Sequence, residues 1–197
     1  MEIKKALLFV FLFYSLIIYG QVPYQQIRLE KYNQEANKII KIDGCGISSN
    51  ASNDLIYQYL NFYPDKNSNT DKSTVDTMDF TPYSIELRVF ESLVYPDYVI
   101  MWITENEYNS EIHLFYFIDK KISKIGAIPI QSCCDACDSK IYPIEKILII
   151  GNENSIEFKF SEPFEYNTGH DIWQKYNPEQ IRLIFDKKNR KLTWHQH

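Results

Sequence analysis

The chain of 197 residues contains no GxSxG nucleophile elbow, no phosphate-binding GxxxxGK loop and no HExxH zinc helix. Each absence removes a reaction class at the outset: α/β-hydrolase chemistry, P-loop nucleotide hydrolysis and zinc proteolysis. The nearest approach to a dinucleotide fingerprint is "DGCGISS" at 43–49. Ser49 stands where the third glycine belongs and no second parallel strand follows, so a nucleotide site is not supported. There is also no basic run. With 26 acidic against 21 basic residues the formal charge is −5, a balance that keeps a protein soluble and disfavours non-specific binding to nucleic acid or anionic lipid. No internal repeat and no second domain can be traced.

Long apolar runs are likewise missing, apart from one at the start. Lys4 and Lys5 precede a mostly apolar stretch from Ala6 to Tyr19 that ends at the small residue Gly20. The layout is that of a secretory signal peptide over residues 1–20, and the run is shorter than the roughly 18 to 20 residues a spanning helix needs. The expectation is export to a bacterial periplasm or the medium, with no stable membrane anchor after processing. Loss of Glu2, Lys4 and Lys5 would move the formal charge from −5 to −6. The remainder, 21–197, suits a single globular domain large enough to bury a core of its own.

What is present begins with two helix-like stretches. Ile27, Tyr32 and Ala36 fit a helix over about 25–37, and "SNDLIYQYLNFYP" at 52–64 places Leu55, Ile56, Tyr59, Leu60 and Tyr63 on one helical stripe closed by Pro64. After Pro82 the pattern changes to short alternating or wholly apolar runs separated by polar turns. These are "SIELRVFE", "DYVIMWIT", "EIHLFYFI", "KISKIGAIPI", "IEKILIIG", "SIEFKFSE", "IRLIF" and "KLTWH", the signal of about eight antiparallel strands. Several are apolar on both faces and must be covered on both sides. The expected class is therefore mainly antiparallel β, a curved sheet, sandwich or barrel, with one or two N-terminal helices: α+β overall. Two connections are long, 131–143 and 162–180, and long loops on a rigid sheet commonly carry function.

Cysteine is scarce, and three of the four residues crowd into "SCCDACD". In an oxidising compartment they are read first as disulfides. A bridge between the adjacent Cys133 and Cys134 is geometrically unfavourable, which leaves Cys45 tied to one of them and the other closing a small ring to Cys137. The competing reading is a zinc site, since Cys134 and Cys137 have chelating spacing and Cys45 and Cys133 would complete four thiolates. A thiol oxidoreductase is weaker, because Asp135 and Asp138 flank the motif and oppose a thiolate.

A second candidate is the polar loop from 65 to 76, where Asp65, Asn67, Asn69, Asp71, Ser73 and Asp76 occupy positions 1, 3, 5, 7, 9 and 12 and so resemble an EF-hand calcium loop. Thr70 replaces the turn glycine and Asp76 the bidentate glutamate. The third candidate is His170, with Asp171 and Glu165 as orienting carboxylates for a general base. His113 lies within a strand, and His195 and His197 stand at the end of the chain without an identifiable partner.

With no nucleophile identified and no cofactor assigned beyond these calcium and zinc options, the first expectation is a non-enzymatic exported binding module of inhibitor or immunity type. Its partner would be another secreted protein or a small ligand. Two alternatives stand beside it. One is a hydrolase centred on His170; the other is a lipocalin-like carrier with Trp102, Phe115, Tyr116 and Phe117 lining a cavity, against which stands the ordinary role of aromatics as core.

Overall fold

The computed structural model describes residues 20–32, 39–52, 57–65, 72–78, 84–105, 109–131, 147–161, 163–167 and 173–196. Fifteen strands run through them: β1 Val22–Tyr32, β2 Ile40–Ile42, β3 Cys45–Ala51, β4 Gln58–Tyr63, β5 Ser73–Met78, β6 Ser84–Ser92, β7 Asp97–Glu105, β8 Asn109–Ile118, β9 Lys121–Gln131, β10 Ile147–Gly151, β11 Ser155–Phe160, β12 Phe164–Asn167, β13 Trp173–Tyr176, β14 Ile181–Asp186 and β15 Lys191–Gln196. All eight expected strand segments are present, as β6 to β11, β14 and β15. The long connection at 162–180 carries a further hairpin, β12 and β13, with Phe164 opposite Tyr176.

The helices are a correction. Of the stretch expected as helix at 25–37, the part to Tyr32 is strand, laid antiparallel along β6 from Tyr24 opposite Ser92 to Tyr32 opposite Ile85. Of the stretch at 52–64, Gln58–Tyr63 is β4, held between β3 and β5. In both cases apolar spacing was compatible with a helix, but Tyr, Phe and Ile favour a pleated, half-buried surface, and strand partners pair with the backbone, β6 along one side of β1 and β3 and β5 on the two sides of β4. Leu55 and Ile56 lie outside the described residues.

Eleven strands form one sheet in the order β13-β12-β9-β8-β7-β6-β1-β10-β11-β14-β15, and four form another, β2-β3-β4-β5. All observed pairings are antiparallel. The large sheet curls so far that β15 returns to β9. Arg190 donates to Ser123 Oγ at 3.0 Å, Tyr166 stacks on Trp194 at 4.1 Å between centroids, and a Cβ at Gly126 would sit 2.6 Å from Leu192 Cδ2. The missing side chain at Gly126 is thus what lets the curl close so tightly.

Wrapping the sheet gives it two buried faces. The concave one encloses Met101, Leu114, Tyr116, Phe158, Phe160 and Phe185. On the convex one the small sheet packs, enclosing Leu60, Leu87, Trp102, Phe115 and Phe117. That is why β7 and β8 read as apolar on both faces. Gly44 opens β3 from a tight turn with φ +80, beside Asp43 at φ 44, a conformation that Gly adopts without strain.

Candidate functional site

The sequence candidates are dispersed. Cys45 is a buried, free thiol; its Sγ donates to the Pro64 carbonyl at 3.3 Å, and burial pushes its pKa up. A protonated, sequestered thiol of this kind is unreactive. Cys133, Cys134 and Cys137 lie outside the described residues, as do His170, Asp171, Asn67, Asn69 and Asp71. Glu165 is exposed on β12 opposite Lys175. Asp65 follows β4, while Ser73 and Asp76 belong to the strand β5. Among the described residues no group of three or more His, Cys, Asp or Glu side chains is arranged to hold a metal ion. Trp102, Phe115, Tyr116 and Phe117 are each at most 5% exposed and belong to the two packed cores.

Two polar clusters that the sequence did not mark stand out in this apolar interior. In the first, Asp76 reaches from the small sheet to the large one. Its Oδ2 accepts from His113 Nδ1 at 2.8 Å and lies 2.7 Å from Lys124 Nζ. Glu111 Oε2 stands 3.2 Å from the other ring nitrogen, Nε2, but off the N–H direction, so that nitrogen makes no formed hydrogen bond. Burial alone would lower the His113 pKa, yet the Asp76 and Glu111 carboxylates outweigh it and the net shift is upward. Conversely, burial raises Asp76, and its bonds to His113 and Lys124 bring it below the usual carboxylate value. The nearby His113 is the largest influence on Glu111, which also falls.

The ring of His113 lies against Trp102 at 5.0 Å, and Trp102 Nε1 donates to Ser49 Oγ at 3.1 Å, which also accepts from Gln58 Nε2 at 2.7 Å. With His113 only 4% exposed and carboxylates at both nitrogens, this is a brace between the sheets. It is not an open general base, which needs access to a substrate proton.

The second cluster centres on Asp97, 1% exposed. Tyr24 Oη donates to Oδ1 at 2.7 Å; Tyr116 Oη and Lys187 Nζ donate to Oδ2 at 2.8 and 2.6 Å. Burial, followed by the charge of Asp97 and the hydrogen bond to it, pushes both phenols well above the ordinary tyrosine value. The Lys187 ammonium also sits 4.8 Å from the Tyr95 ring centroid. Four separate segments are tied at one carboxylate. In sequence Asp97 is simply the first residue of the expected strand "DYVIMWIT", and nothing local distinguishes it.

The surface offers a different feature. β1 sits between β6 and β10 in the middle of the large sheet, where burial is expected. Yet Gln25, Gln26, Ile27, Arg28 and Leu29 are all exposed, Ile27 at 45% and Leu29 at 42%. The register with β10 covers only Val22 and Pro23, whereas that with β6 continues to Tyr32 through a bulge between Gln26 and Arg28. The sheet therefore opens into a seam along β1, with Leu148 of β10 exposed at 49%. No family model, no curated protein and no solved structure matches this chain.

Proposed function

We propose that the protein is an exported, non-enzymatic binding module that captures an extended segment of another secreted protein along β1. The observation that carries this reading is five consecutive exposed residues, two of them large and apolar, on a strand in the middle of a sheet. An extended strand offers main-chain donors and acceptors to an added strand, while alternate side chains supply selectivity. Ile27 and Leu29 provide apolar contact, and the bulge together with Arg28 and Lys31 limits indiscriminate edge pairing, as charged and bulged edges generally do. The two ionisable clusters support the same reading from the other side, since both are committed to holding the interior together.

The test is site-specific photocrosslinking in the exporting cell. A benzoylphenylalanine at Ile27 should give a discrete adduct that is missing when the probe is placed at the exposed Glu165 of β12. Adducts that are absent from Ile27, or equal at the two positions, would remove the proposal.

A further inference from the structure

A second surface lies at one end of the large sheet, and it is independent of the seam. The β6–β7 turn presents Leu93 at 45% and Val94 at 58% exposure, followed by half-buried Tyr95 and exposed Pro96. The turn is fixed: Ser92 Oγ accepts from the Val94 and Tyr95 amides at 3.4 and 3.0 Å. The strand registers bring other turns to the same end. Asp97 opposes Ile118, which places the turn at 119–120 there; Ser155 opposes Asp186, which places the turns at 152–154 and 187–190 there. Lys187 joins the groups directly, through Asp97 and the Tyr95 ring and through its amide bond to the Asn154 carbonyl at 2.9 Å.

These turns expose Lys120, Lys121, Lys188, Arg190 and Lys191. The carboxylates among them are Asp119, Glu153 and Asp186, the last accepting from Asn189. Asp43 and Asp65 of the small sheet act near Cys45 together with Lys120, so the positive excess is centred on 187–191, beside Tyr95. The chain as a whole is acidic, at −5, with 21 Lys and Arg; in the segment 187–191 the exposed Lys188, Arg190 and Lys191 follow one another closely, with Asp186 as the adjoining carboxylate. The same end also holds the start of β1, where Val22 opposes Gly151.

We infer that this end docks reversibly on an anionic lipid surface, with Leu93 and Val94 entering the headgroup region and Lys188, Arg190 and Lys191 lying over the phosphates. Two projecting apolar side chains are far less than the ~800 Å² per partner of a stable protein interface. Shallow insertion beside a basic cluster needs no more than this, because each Lys or Arg near an anionic leaflet adds about 1 kcal/mol.

The experiment is vesicle flotation of the protein in its exported form, at low salt, with pure phosphatidylcholine or with phosphatidylcholine containing phosphatidylglycerol. Partition into the anionic vesicles alone is expected. It should fall roughly thirtyfold in K188Q/K191Q, at about 1 kcal/mol per cation, and also fall in L93S/V94S. Circular dichroism checks that both variants fold, since all four residues are exposed. A tryptophan at Val94 should shift to the blue on anionic vesicles and be quenched by brominated lipid. Equal partition into both vesicle types, no partition, or partition unchanged in the two variants would each overturn the inference. Unchanged emission from the Val94→Trp variant on bound vesicles would overturn the assigned orientation.

Discussion

His113 carries the residue-scale prediction. Its folded pKa is raised by the Asp76 and Glu111 carboxylates against the opposing effect of burial. The stability it contributes as imidazolium is fully present below the unfolded histidine value, about 6.5, and is lost as pH rises through the higher folded value. Asp76 and Glu111 are lowered, so their contribution is present above the unfolded carboxylate range and is lost as pH falls through the folded values. The cluster therefore stabilises most between roughly pH 4.5 and 6.5. In urea denaturation His113→Gln should lose more stability relative to the parent at pH 5.5 than at pH 9. A deficit independent of pH would show that the imidazole stays neutral.

Trp102 makes the companion point. Trp102→Phe keeps most of the packing but leaves Ser49 Oγ with the Gln58 donor alone, a loss of about 0.5–1.5 kcal/mol, read as a lower urea midpoint at unchanged slope.

At the scale of elements, the small sheet depends on a few polar contacts and one apolar layer, whereas β7 and β8 are covered on both faces. Strands buried on both faces open only with global unfolding, while a peripheral sheet opens more cheaply. Amide exchange in β3 and β4 is therefore expected to proceed through a lower-energy opening than in β7 and β8. Asp76→Asn, which breaks the tie to His113 and Lys124, should widen that gap. Equal protection across both sheets would mean that they unfold as one unit. Elements were also where the sequence was read unevenly. "DYVIMWIT" and "EIHLFYFI" announced buried strands because they are short, mostly apolar on both faces and bounded by polar turns. The segment from Val22 to Tyr32 did not, since five polar or charged side chains interrupt it and its apolar positions fit either period. Its strand character comes from β6, a partner some sixty residues away in the chain.

For the whole molecule the decisive contact is Asp97 with Lys187, 90 residues apart. It holds the last hairpin against β7 and so closes the curl. Asp97→Asn leaves the Lys187 ammonium almost buried without its counter-charge, and removing one partner of a buried pair costs about 3–5 kcal/mol. Lys187→Met should cost less, because Tyr24 and Tyr116 still donate to the carboxylate. Chemical denaturation of both variants at pH 7 measures the ordering; a smaller loss in Asp97→Asn would show that the lysine, once released, reaches water.

Local physics was enough to write part of this protein into its sequence. Alternation and two-faced apolar runs specified eight antiparallel strands, and the opening lysines followed by an apolar run specified an expectation of export. Neither polar cluster was legible. Asp76, Glu111, His113 and Lys124 come from three strands of two sheets, and Asp97, Tyr24, Tyr116 and Lys187 from four separate segments. Each is an ordinary residue in its own neighbourhood. Their protonation and hydrogen bonding are set by what burial removes and by which charges arrive across the fold. The same holds for the exposure of Ile27 and Leu29, and for the gathering of Leu93, Val94 and the basic turns at one end: pairing register decides both, and register is a property of strands brought together over long stretches of chain.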